Sequence, residues 1–321
     1  MNPAPSEEHA QNGSRPRHRS GKFVHCMVAW DSALCAMENP WLRRYAVLLA
    51  TCTALLVFSG PAVSSNDARP LYSLGQTHIW LGAAVGILTA GLAFWLRQLK
   101  EREWLQRLVW VALGADIVES MLGLVPEPLP VPVRIAHSLL GQLFFATTVA
   151  IVVFTSKARD QSPEPAGNRA LLRFAATATP ALVLFQVLLG VAFRHGVMGV
   201  APHILWAFVV AIVLVPTLAA TLSVQHAGLR QAGIAFAVVA CVQILLGFSL
   251  FIMQAVDADP TVLIVVTAVH ATAGAFTFAA TVVMALLIRR VILSQDILSG
   301  ESSHVMKSST SNRQGKSFGI S

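Results

Sequence analysis

Four histidines sit in matching places in apolar surroundings: His78, His137, His203 and His270. The first three open apolar runs and His270 lies roughly two turns into its own, with two histidines in each half of the chain. Neutral imidazole ligates zinc, copper or haem iron. No carboxylate or thiolate stands near these positions in the sequence, which disfavours zinc and copper. Ionisable groups in apolar helices are costly and face the bundle interior. There, two imidazoles on facing helices can hold a haem between them. Small residues follow on the same runs: Gly82, Ala83, Ala84 and Gly86 after His78, Gly141 after His137, and Ala271, Ala273 and Gly274 after His270. They make room for a macrocycle, though tight helix packing selects them equally. His9, His18, His25, His226 and His304 fall in terminal or connecting segments, and His195 follows Arg194 just past the fifth run.

Asp116 and Glu119 are the remaining ionisable pair inside an apolar run. They stand one helical turn apart and share a face. A carboxyl at membrane depth suits proton transfer or a bond to a neighbouring helix. No catalytic residue is fixed by sequence alone, and these two are the candidates. Glu119 also begins a repeat. Glu119–Gly123, Gln186–Gly190 and Gln243–Gly247 each put a polar residue four positions before a glycine. Glycine lets helices approach, and the polar residue can bond across the contact. The repetition suggests a duplicated four-helix unit in parallel orientation.

The elements that must carry these residues are membrane spans. The 321 residues are 55% hydrophobic and only 12% charged, where a soluble domain carries about 25%. This composition excludes an ordinary cytosolic enzyme and a disordered chain. A bilayer core needs roughly 20 apolar residues per helix. Eight runs meet that need: 41–60, 74–96, 105–124, 135–154, 171–193, 203–222, 233–254 and 263–288. The expected fold is an all-α integral membrane protein of eight transmembrane helices, arranged as two tandem four-helix bundles.

Of 23 lysines and arginines, only Arg69, Arg134 and Arg194 fall in connections on the side opposite the termini. That bias puts both termini in the cytoplasm of a cell whose inner (plasma) membrane holds the chain. The expected layout is a cytoplasmic N-terminal segment (1–40), an N-terminal half (41–156), a polar linker (157–170), a C-terminal half (171–290) and a cytoplasmic tail (291–321), with residues 1–22 and 301–321 mobile. Residues 1–22 lack an apolar h-region, so no cleavable leader is expected. Residues 23–37 read as a short interfacial helix. The four cysteines form no CxxC pair. The net charge of +7 fits membrane topology and lipid headgroups, and nothing points to nucleic acid. Exposed small-residue faces permit oligomers.

The chain resembles the haem A synthase family from about Trp41 to Arg290. The resemblance rests on the four histidines of spans two, four, six and eight and on the Gln-x-Leu-Leu-Gly segments. It also rests on Leu189-Gly190-Val191-Ala192-Phe193-Arg194-His195, which is similar to the family's Gly-Ala-Leu-Val-Arg-His stretch. The resemblance implies two haem-binding halves, with all four histidines as axial ligands of haem iron. His78 and His137 match the site of the substrate, haem O, and its product, haem A. His203 and His270 match the site of a haem b. Family members oxidise the C8 methyl of haem O to a formyl group for terminal oxidase assembly, so haem O synthase and oxidase assembly proteins are the implied partners.

Three features depart from the family. Its Glu-x-x-His-Arg is here Gly75-Gln76-Thr77-His78-Ile79. The first outer connection, 61–73, has no cysteine, and the connection 196–202 is short. A non-catalytic haem protein, serving as electron carrier or assembly factor, therefore stays open beside the oxidoreductase, as does a haem-free transporter.

Overall fold

The computed structural model describes residues 39–64, 72–99, 103–125, 129–156 and 168–314. The expected N-terminal segment up to residue 38, its interfacial helix at 23–37, linker residues 157–167 and the end of the tail from 315 lie outside the described residues. Among those described there are eight helices and no strand: α1 (Pro40–Ser64), α2 (Tyr72–Arg97), α3 (Glu103–Gly123), α4 (Val131–Thr155), α5 (Arg169–Arg194), α6 (Ala201–Leu222), α7 (Ala227–Ala255) and α8 (Pro260–Gln314). Helices are the expected outcome, because an apolar solvent forces backbone polar groups to pair within the segment.

Polar caps and prolines start the helices. Asn39 Oδ1 accepts from the Trp41 and Leu42 amides ahead of α1, Asn168 from Leu171 ahead of α5, and Asp259 from Thr261 and Val262 ahead of α8. Proline occupies the first turn of α4 and α6. Helix α5 closes on Gly196, whose φ of 73° is left-handed, with the Val197 amide donating to the Ala192 carbonyl. That turn fixes where Arg194 and His195 project.

Seven of the eight helices are long and apolar enough to cross a membrane. The exception is α3, one of the eight expected spans, because Glu103, Arg107, Asp116 and Glu119 interrupt its apolar surface. A second difference is α8. The cytoplasmic tail expected from residue 291, with its mobile part from 301, is helical as far as Gln314. No proline follows Pro260 to break that helix.

Helix α1 packs on α2 and α4, and α3 on α2 and α4. Helix α5 packs on α6 and α8, and α7 on α6 and α8. Helix α8 also meets α1 and α4, and α4 meets α5. Phe145, Leu172, Phe236, Met284 and Ile288 belong to one buried core centred on α8. Buried threonine hydroxyls are used within and between helices. Thr53 donates to the Leu49 carbonyl and Thr89 to Val85, while the Thr179 and Thr217 hydroxyls lie 3.4 Å apart between α5 and α6. Trp80, Ile87, Ile212 and Leu245 point outward, as lipid-facing side chains do.

Candidate functional site: two histidine pairs behind four glycines

The four histidines come together as two pairs. His78 on α2 and His137 on α4 have ring centroids 6.3 Å apart, with planes at 76°. His203 on α6 and His270 on α8 repeat the arrangement at 6.3 Å and 84°. The pairing follows the two sets of helix contacts, one pair in each.

Each histidine lies against a glycine of the helix before it. A Cβ built on Gly60 would stand 3.4 Å from His78 Cε1, and one on Gly123 would stand 3.2 Å from His137 Cε1. The corresponding distances are 2.9 Å for Gly190 and His203, and 3.1 Å for Gly247 and His270. The glycines of the polar-x-x-x-Gly repeat are thus the floors on which the rings lie. Four residues after each histidine comes another small residue: Gly82, Gly141, Ala207 or Gly274. Gly141 and Gly274 face the polar residue of the preceding helix, Glu119 and Gln243 respectively. Gly82 faces Leu56 in the same way. The chain therefore carries one helical hairpin four times, with the histidine and a small residue on its second arm.

The polar partners differ between halves. Ser59 Oγ lies 2.7 Å from His78 Nδ1 and donates its one proton to the Leu56 carbonyl at 2.8 Å. The hydroxyl must then accept from His78, so Nδ1 carries the proton and Nε2 keeps its lone pair. Glu119 Oε1 lies 3.2 Å from His137 Nδ1, an ion-pair contact without hydrogen-bond alignment. In the C-terminal half the partners are amides. Gln186 Nε2 lies 3.1 Å from His203 Nδ1 and donates to the His203 carbonyl at 3.0 Å. Gln243 Nε2 lies 3.4 Å from His270 Nε2. The Oε1 atoms of Gln186 and Gln243 are buried without a hydrogen bond, and turning either amide over would offer the ring an acceptor.

Asp116 is buried, with Oδ2 3.1 Å from the position a Gly86 Cβ would take. The missing side chain of Gly86 makes room for that carboxyl between α2 and α3. Glu119 Oε2 is buried with no hydrogen bond. Glu119 thus stands at the N-terminal pair, Asp116 lies farther along the helices beside Gly86, and the C-terminal half places amides where Glu119 stands.

The end of α5 reaches the same site. Arg194 Nη2 donates to the Pro61 carbonyl at 2.6 Å, next to the glycine under His78. His195 Nε2 lies 3.2 Å from the hydroxyl of Ser138, the neighbour of His137. Arg134, one turn before His137, has a buried Nε without a hydrogen bond. Sequence reasoning missed Ser59, Gly60 and this strap. The first hairpin escaped because Leu56 stands where the other three have Glu or Gln. Its remaining signal is a lone glycine four residues later.

Among the described residues, no cluster of three or more His, Cys, Asp or Glu is placed to hold a metal ion. Two imidazoles alone do not complete a zinc or copper site. They do complete the coordination of a metal that brings its own equatorial ligands. Two nitrogens about 2.0–2.1 Å from one metal, each about 1.1 Å from its ring centre, put the centroids about 6.3 Å apart. Both pairs have that separation. No protein-family model matches the chain, and no curated protein matches it.

Proposed function

We propose that the protein is a haem-binding membrane oxidoreductase of the haem A synthase type. In this reading each set of four helices is a four-helix bundle with one haem between its paired histidines. The observation that carries it is the pairing of one histidine from each of two neighbouring helices in each half, with ring centroids 6.3 Å apart, a separation that would let both imidazoles hold one haem iron. His78 and His137 hold haem O and its product haem A, and His203 and His270 hold a haem b. The chain lies in the cell inner (plasma) membrane with α3 as an eighth, more polar span. Both termini are cytoplasmic, which the distribution of Lys and Arg supports. Haem O synthase and oxidase assembly proteins are the natural partners.

A bound haem supplies the iron chemistry that attack on a methyl group requires and side chains lack. The chain's own residues do the rest. His78 presents its Nε2 lone pair because Ser59 accepts from Nδ1, and Glu119 is the carboxyl that stands beside His137 Nδ1. With water as the oxygen source and an external acceptor for the four electrons, oxidising a methyl to a formyl group would release protons, and Glu119 and Asp116 are the buried carboxyls of α3 that would take them. Apolar helix surfaces around the site exclude bulk water.

One observation favours a second reading, a haem-binding carrier or assembly factor without the oxidation. Gly75 and Ile79 stand where the family has Glu and Arg. Both positions have room: a Cβ on Gly75 meets nothing within 4 Å, and Ile79 is exposed. Co-expression with a source of haem O decides between the readings. Formation of haem A, or of a hydroxylated intermediate, by the parent protein supports the oxidoreductase. If only the double variant Gly75→Glu, Ile79→Arg forms it, the second reading holds. Pigment-free protein, folded and made with ample haem, would refute both.

A further inference from the structure

The two histidine pairs share spacing, ring angle and glycine floors, so what distinguishes them must come from the groups behind the rings. Those groups differ in kind. Behind His137 is a carboxylate, with a second carboxyl, Asp116, one turn away on the same helix. Beside His203 and His270 are neutral amides: Gln186 Nε2 lies 3.1 Å from Nδ1 and 3.3 Å from Nε2 of His203, and Gln243 Nε2 lies 3.4 Å from Nε2 of His270. The three residues occupy the same place in their hairpins, four positions before the glycine under the ring. The comparison is therefore between equivalent positions of one repeated unit.

A hydrogen-bond acceptor on the outer nitrogen of a ligating imidazole fixes the ring and raises its basicity. A carboxylate does so more strongly than an amide oxygen. Negative charge close to an iron also stabilises its more positive, oxidised state, more so in an apolar interior than in water. Both effects act in one direction on the N-terminal pair and are weak in the C-terminal pair.

We propose that Glu119 is a positioning residue for His137, and that its carboxylate, set against the neutral Gln186 and Gln243, holds iron at the N-terminal pair at a lower reduction potential than iron at the C-terminal pair. This rests on the reading of both pairs as haem ligands. Its consequence is a division of labour. The centre between His78 and His137 gives up electrons readily to an oxidant, and the centre between His203 and His270 keeps them.

The full-length protein in detergent, reconstituted with protohaem IX at both sites, gives the test by optical redox titration. Using one haem type removes differences between macrocycles. The centre whose low-spin spectrum is lost in His78→Ala must have the lower potential in the parent protein, a comparison that needs no change at Glu119. Glu119→Gln should raise that potential by at least the equivalent of tenfold in the reduced-to-oxidised ratio, about 59 mV, and leave the other centre unmoved. Gln186→Glu should lower the potential of the centre lost in His203→Ala. Haem bound at both pairs with equal potentials, or with the N-terminal centre higher, overturns the proposal and leaves the haem reading intact. A protein that takes up no low-spin haem at either pair overturns both.

Discussion

A single methyl group added under each histidine tests the repeated hairpin quantitatively. Replacing a helical glycine by alanine gains about 0.8–1 kcal/mol of helix propensity. Overpacking a well-filled contact costs about 1–3 kcal/mol. The balance depends on the distance from the new Cβ to the ring. At Gly60 that distance is 3.4 Å, an ordinary contact, so Gly60→Ala should be neutral or mildly stabilising. At Gly190 it is 2.9 Å, and the His203 ring must move. The ring cannot retreat freely, because Gln186 holds both its edge and its backbone carbonyl. Losing one such hydrogen bond costs about 1 kcal/mol. Gly190→Ala should therefore destabilise by about 1–3 kcal/mol net. Gly247→Ala and Gly123→Ala, at 3.1 and 3.2 Å, should fall between the extremes. Thermal unfolding in detergent reads the stability series, and Soret absorbance per chain reads how well each displaced histidine still holds haem. A Gly190→Ala protein as stable and as well loaded as Gly60→Ala would refute the idea that the rings rest on these glycines.

Other perturbations follow from the same contacts. Asp116 is buried between α2 and α3, so Asp116→Asn should raise the unfolding temperature while lowering any haem-oxidising activity. Unchanged activity would remove Asp116 from the proton path. Arg194→Ala removes a charge-assisted bond to the Pro61 carbonyl and should cost about 1.5–3 kcal/mol. An unfolding temperature equal to the parent's would show that the strap contributes nothing. His226 caps α7 by accepting from the Leu229 amide, and burial lowers its pKa. The unfolded chain then binds more protons than the folded one between the two pKa values. This part of the stability is fully present above about pH 6.5 and declines as the pH falls through the folded value. His226→Asn should keep the cap and flatten that decline, whereas His226→Ala should cost about 0.5–2 kcal/mol above about pH 6.5 and less as the pH falls through the folded value. An unaltered pH dependence in the Asn variant would contradict the assignment.

The spans were legible because about 20 apolar residues between polar connections leave few alternatives to a membrane helix. The third helix shows the limit of that reasoning. Its four charged residues pull it below the hydropathy of the other seven, and they matter because one of them, Glu119, meets His137 and another, Asp116, is buried against α2. The candidate histidines were legible for the opposite reason, as polar residues repeated where polarity is costly. The polar-x-x-x-Gly repeat was visible too, but periodicity could not say that the glycine meets an imidazole ring. That depends on the register between helices, which the sequence of one helix does not carry. The first hairpin was hidden because Ser59, next to Gly60, replaces the polar residue expected four positions before it. The helical continuation of α8 to Gln314 was likewise illegible, since a Ser-rich segment reads equally well as a tail.

The central claim is that each histidine pair clasps one iron, and the ring planes offer the most direct test. Planes crossed at 76° and 84° leave the two iron π-orbitals nearly equal in energy. Low-temperature electron paramagnetic resonance of the oxidised, haem-loaded protein should then show two highly anisotropic low-spin signals. His78→Ala should abolish one of them and His203→Ala the other. The rhombic signals of parallel imidazoles, a purely high-spin spectrum, or signals indifferent to both substitutions would contradict the assignment of these four histidines as axial ligands.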